Sequence, residues 1–265
     1  MPKFINHKTL SGQGFTWEGQ TLRKLKESFT LAEILITLTI LGIITVISLS
    51  SLIGIYHEKQ TVVAVKKIYA ELQKAFDMAE RYDGPVDTWV NLSSDWGSAN
   101  NGNRNTKYAD YLIKENFKVK KACGVTDDGC GVTQEGICKN LNGDLVTGSN
   151  NFYNFCNKDT WIWNYAGKWN RTLLNNGTTI AIKAPRTGSI EGDGGGITIA
   201  VDLNGEKSPN TFGKDIFFFL MTTKGIEPVK GNYNTYCNIN SNDASNGISC
   251  LKYIIENENM NYLKQ

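Results

Sequence analysis

Ile34 to Ile55 is a run of 22 residues without a charge or a proline, and it constrains the chain more than any other stretch. At about 1.5 Å per residue, a helix of this length crosses a hydrocarbon core of about 30 Å, so the run reads as a membrane span rather than a core helix. One carboxylate, Glu33, stands at its entrance, and Arg23, Lys24 and Lys26 precede it. Basic residues before an apolar span orient the amino terminus toward the cytoplasm and carry the downstream domain outward. Ser48, Ser50, Ser51 and Gly54 form the soft part of the span, because glycine and back-bonding hydroxyls weaken a helix without breaking it.

The order of features is specific: a basic segment, a small residue at Ser28, then Phe29-Thr30-Leu31-Ala32-Glu33 and the long apolar helix. It resembles the amino terminus of the prepilin family, the type IV pilins and the pseudopilins of type II secretion. The resemblance covers about 30 of the 265 residues. It implies that a prepilin peptidase cuts between Ser28 and Phe29 and methylates the new amino terminus. Ser28 stands where the family usually has glycine, and serine is small enough for a site that excludes bulk. The resemblance further implies a cleaved leader (1–28) and one helix with a membrane-spanning half (29–55) and an amphipathic half (56–83), packed on an antiparallel sheet in an α+β, pilin-like fold. Such a subunit sits in the inner (cytoplasmic) membrane as a single-pass protein with its carboxyl-terminal domain extracytoplasmic. It then joins its own copies and other pilin or pseudopilin subunits in a filament.

Glu33 is the assembly residue in this reading. A carboxylate at full depth in a bilayer costs about 2.5 to 3.5 kcal/mol. Cutting before Phe29 frees an α-amino group whose unperturbed pKa lies near about 7.7 to 8.0, and a neighbouring subunit's amine can neutralise Glu33. The alternative is a carboxylate snorkelling to the cytoplasmic interface. A rival for the whole amino terminus is a secretory signal peptide cut after Ser48-Leu49-Ser50. A carboxylate inside the apolar region and the length of the run both fit it poorly.

Residues 1–28 hold five Lys or Arg and two Glu of the chain's 28 basic and 26 acidic residues, leaving the remainder at 23 against 24. That balance gives no electrostatic case for a nucleic-acid partner. All six cysteines (Cys123, Cys130, Cys138, Cys156, Cys237, Cys250) lie beyond the span, and an even number there reads as disulfides in an oxidising compartment. Zinc is the weaker reading, since no Cys-x-x-Cys occurs and no histidine comes after His57. The first four cysteines allow three pairings. Cys237 and Cys250 flank an Asn/Ser/Gly loop where many pilins close a comparable loop, and the resemblance implies a disulfide between them.

Beyond Tyr56, Val62, Val65, Tyr69, Leu72, Phe76 and Ala79 recur at spacings of three and four, which predicts a helix running on to Tyr82 and ending at Asp83-Gly84-Pro85. Residues 84–160 read as a variable, disulfide-stapled connection with a short helix over 108–117. The sheet region is 161–265, with strands expected at 161–165, 177–183, 196–203, 215–222 and 250–255. Trp161, Trp163 and Tyr165 fall on one strand face, either as core packing or as a surface-binding platform.

The segment from Ile199 to Phe217 resembles the strand, turn, strand signature of many prepilin-like proteins. Asp202, Asn204 and Asp215 could there supply hard oxygen ligands to Ca²⁺, as a comparable loop does in the major pseudopilins. The other reading is an Asn-Gly turn whose polar side chains cap their own backbone, and the glutamate of an EF-hand spacing is missing. Gly192 to Gly196 lacks the Lys-Ser/Thr of a phosphate loop and reads as a hairpin turn. Without histidine after His57, neither a Ser-His-Asp nor a Cys-His pair can be built, and nothing supports a carboxylate-pair hydrolase. The reading is therefore a structural subunit rather than an enzyme. Its alternative is a membrane-anchored extracytoplasmic binding module using the aromatic strand and the long loop.

Overall fold

A computed structural model describes residues 29–90, 100–125, 130, 138–146, 169–184, 196–205 and 207–264. Helix α1 (Leu31–Asp83) is unbroken across Gly42 and Gly54. The chain divides into two compact units, Met1–Ser50 and Ser51–Gln265.

In the first unit every described side chain from Phe29 to Leu49 is exposed. The hydroxyls within this apolar stretch are satisfied inside the helix. Thr39 Oγ1 donates to Leu35 O at 2.7 Å, Thr45 Oγ1 to Leu41 O at 2.7 Å, and Ser48 Oγ to Ile44 O at 2.8 Å. Such back-bonding removes the penalty that unpaired hydroxyls would meet in hydrocarbon. Helix α1 is long and apolar enough to cross a membrane.

In the second unit the same helix becomes amphipathic. Val62, Val65, Ile68, Leu72, Ala75, Phe76 and Ala79 are buried, so the stripe expected from the spacing includes Ile68 and Ala75 as well. Tyr69 is half-buried and donates its hydroxyl to Ile226 O. Gly84 takes a left-handed φ of 85° and its amide donates to Glu80 O, closing the helix before Pro85.

Six strands form one antiparallel sheet in sequence order: β1 (Val119–Gly124), β2 (Asn170–Leu174), β3 (Thr179–Lys183), β4 (Ile197–Asp202), β5 (Ile216–Thr222) and β6 (Gly225–Pro228). The fold class is therefore α+β. One sheet face, with Ile180, Ile182, Ile199, Val201, Phe217 and Phe219, joins the core of α1. The opposite face, with Ala181, Ala200 and Phe218, packs against Trp169, Phe212 and Ile248. Burial on both faces explains why β4 and β5 read as near-continuous apolar runs.

Strands expected at 177–183, 196–203 and 215–222 are β3, β4 and β5, each trimmed by its turn residues. The strand expected at 250–255 is corrected: residues Cys250–Asn257 form helix α4, which comes after a single-turn helix α3 (Tyr233–Tyr236). Its buried residues Cys250, Leu251 and Ile254 lie at helical spacing, and Glu258 closes it in a left-handed conformation at φ 55°. The 84–160 connection contains helix α2 (Asn100–Ala109), which runs into a wider turn at Asp110–Lys114, and also β1. The helix expected over 108–117 thus starts earlier and stops sooner. The aromatic strand at 161–165 lies outside the described residues.

Cys123 is bonded to Cys130 and Cys237 to Cys250, with sulfur separations of 2.14 and 2.02 Å. Cys156 lies outside the described residues.

Candidate functional site

Two sites carry the residues singled out by the sequence, one in each unit. At the start of α1, Thr30 and Glu33 cap the helix reciprocally. Glu33 N donates to Thr30 Oγ1 at 3.2 Å, and Glu33 Oε2 accepts from Thr30 N and Thr30 Oγ1, both at 2.8 Å. This capping box satisfies amides that the first turn would otherwise leave unpaired. It also turns the Glu33 carboxylate back toward the chain's amino terminus. The spacing Thr-x-x-Glu is legible in the sequence, so Thr30 could have been named beside Glu33. Phe29 is exposed, and Ser28 lies outside the described residues.

The second site is the connection from β4 to β5. Asp202 is the last residue of β4 and Asp215 immediately precedes β5, so pairing of the two strands brings both carboxyls to one end of the sheet. Asp202 Oδ1 accepts from Gly205 N at 2.9 Å and Asn204 N at 3.2 Å. Asp215 Oδ1 accepts from Thr211 N at 2.6 Å, and its Oδ2 from Asn210 N at 2.8 Å and Asn204 Nδ2 at 3.1 Å. The structure thus brings together Asp202, Asn204 and Asp215, and much of the turn-capping reading is realised in the same bonds.

Capping does not account for every oxygen. Asp202 Oδ2 and Asn204 Oδ1 are buried and find no hydrogen-bond partner among the described residues, and neither does Thr179 Oγ1. Thr179 lies directly opposite Asp202 in the β3–β4 register, which puts the two side chains on the same sheet face about 5 Å apart at Cβ. Its hydroxyl also approaches Gly205, where an added Cβ would lie 3.8 Å from it. Sequence reasoning missed Thr179, because only the strand register reveals that it faces Asp202.

The electrostatics favour the neutral form of Asp202. Burial, reinforced by the neighbouring Asp215 carboxylate, pushes Asp202 up to about 8, while the amides of Asn204 and Gly205 oppose the shift. Burial raises Asp215 as well, despite its bonds to Thr211, Asn210 and Asn204. Buried oxygens without a partner among the described residues could accept a hard cation, and Ca²⁺ with its oxygen preference would suit them. Among the described residues no group of three or more His, Cys, Asp or Glu side chains is gathered. Any cation here would rest on two carboxylates plus the neutral oxygens of Asn204 and Thr179. Comparison of the chain with protein-family models, with curated proteins and with solved structures gave no match.

Proposed function

We propose that this chain is a structural subunit of a type IV pilus or a type II secretion pseudopilus, processed before Phe29 and assembled through its amino-terminal helix. The single observation carrying this reading is α1 itself, a helix of 53 residues whose first part is apolar and exposed and whose second part is buried against an antiparallel sheet. A helix of that construction has one use for its exposed half in a membrane and another beside identical helices. The capping box supports a role for Glu33, since it holds the one carboxylate of the span at the end where a neighbour's amine would arrive. In this reading the domain is extracytoplasmic, its partners are the prepilin peptidase and other subunits, and the 202–215 loop takes Ca²⁺ with Thr179 as an additional oxygen ligand.

The test is amino-terminal sequencing and intact mass of the chain co-expressed with a prepilin peptidase. The expected mature protein begins at N-methylated Phe29, and Ser28→Arg blocks the cut. An intact leader, or a start at Ser51, would overturn the proposal.

A further inference from the structure

Along the amphipathic half of α1, Lys67, Glu71, Lys74, Met78 and Tyr82 recur at spacings of three and four and so share one face. Met78 and Tyr82 are 37% and 76% exposed on it. Two cavities lie between this face and the segment 110–118, which leads into β1. The first, of about 590 Å³, has Lys67, Lys74 and Lys118 on its walls, together with Asn175 and Asn176 of the β2–β3 turn. The second, of about 480 Å³, has Tyr82, Asp83, Asp110 and Lys114 on its walls. Both are also lined by Met78, Glu115 and Asn116, so they adjoin as one groove. From Lys67 to Asp83 it follows α1 for about 24 Å.

The charges in the groove are sorted by sign. Lys67, Lys74 and Lys118 stand toward one end, with Glu71 held 3.9 Å from Lys67. Asp83 and Asp110 stand toward the other, with Lys114. Lys74, Lys118, Asp83 and Asp110 are exposed and make no ion pair among the described residues, although ion pairs form elsewhere in this unit at Glu58, Lys66, Glu227 and Glu256. Between the ends the lining includes buried Ala75, Ala79 and Leu174. Asn116 commits its Nδ2 to Tyr111 O and Leu112 O, which leaves its Oδ1 as an acceptor. Asn176 commits its Oδ1 to Thr178 N, which leaves its Nδ2 as a donor.

We propose that this groove binds an extended peptide segment of another protein, acidic where it meets Lys74 and Lys118, apolar across Met78 and basic where it meets Asp83 and Asp110. An extended chain offers backbone N–H and C=O groups to Asn116 and Asn176, whereas a helix satisfies its own. At about 3.3 Å per residue, about seven residues span the groove. Exposed charge pairs contribute little affinity each, so the apolar centre holds the segment and the sorted charges fix its direction. A segment with one sign at both ends meets repulsion at one of them. The inference goes beyond the filament reading and does not depend on it.

The experiment titrates the full chain in lipid nanodiscs against fluorescein-labelled peptide probes by anisotropy, with empty nanodiscs as the blank. The probes are Asp-Glu-Leu-Val-Leu-Lys-Arg, the same residues in reverse order, and versions acidic at both ends or basic at both ends. One of the two sorted probes is expected to bind about 10-fold more tightly than either single-sign version, and its affinity should fall with added salt. Lys74→Glu combined with Lys118→Glu changes two exposed positions, so the fold should persist. It should weaken the sorted probe about 10-fold, the worth of two exposed pairs turned repulsive, and shift the preference to the probe basic at both ends. Probes that bind no better than to empty nanodiscs, or a preference that the substitutions leave unchanged, would overturn the proposal. So would self-association of the unaltered chain that the substitutions abolish while no probe binds, since a second copy would then be the occupant.

Discussion

Asp202→Asn tests the candidate site most directly, because it abolishes titration at this position while keeping the shape. In the folded chain Asp202 is pushed from an ordinary 3.8 up to about 8, first by burial and then by Asp215. A carboxyl raised on folding makes the native state bind a proton that the unfolded chain releases. Stability from this group is complete below the unfolded pKa and is lost as pH rises toward 8. The loss is about 1.4 kcal/mol per pH unit in that window, or about 2.7 kcal/mol between pH 5 and pH 7. Asparagine keeps an Oδ1 for the amides of Asn204 and Gly205 and places an NH₂ where Oδ2 lacks a donor. With chelator present, the substituted protein should therefore be the more stable at pH 7 and show a shallower pH slope, retaining only what Asp215 contributes. Calcium narrows the difference. At about 100 times its Kd it should return about 2.7 kcal/mol to the unaltered chain and little to Asp202→Asn. Urea unfolding at pH 5 and pH 7, with chelator and with Ca²⁺, measures all four quantities. Parallel pH dependences for the two proteins would refute a buried, uncompensated Asp202.

Opening the Cys237–Cys250 bond by replacing both residues with serine should cost about 3 kcal/mol in the chain-entropy model, since it releases a loop of sequence separation 13. Non-reducing peptide mapping that finds either thiol free would remove the basis for that figure. Leu72→Ala deletes a side chain at 0 % exposure in the middle of the α1 stripe and should destabilise by about 2 to 5 kcal/mol in denaturant titration. The same change at exposed Val63 should shift stability by less than about 0.5 kcal/mol. Glu33→Leu removes a membrane cost, so insertion and folding should persist while incorporation into filaments is slowed or lost. Normal filament yield from a stable, processed Glu33→Leu protein would show that this carboxylate does not direct assembly.

What the sequence determined by itself is what local periodicity and local chemistry can express. The charge-free run after Glu33, the three-and-four spacing from Val62 to Ala79 and the stop at Gly84 make α1 legible from end to end, because a helix is built from contacts within a few residues. Strands β3, β4 and β5 were legible from their β-branched and aromatic runs between turn residues. Tertiary structure decided the rest. Strand β1, Val-Lys-Lys-Ala-Cys-Gly, carries lysines at an exposed sheet edge and so lacks the apolar alternation that marks a half-buried strand. Residues 250–255 have the composition of a strand, but the core takes Cys250, Leu251 and Ile254 from one face of a helix. Asp202, Asn204 and Asp215 could be named from the sequence, yet whether they cap a turn or await an ion depends on burial and on which oxygens the backbone leaves unpaired. Thr179 stands 23 positions before Asp202 and meets it only through the β3–β4 register, a long-range pairing that no local pattern encodes.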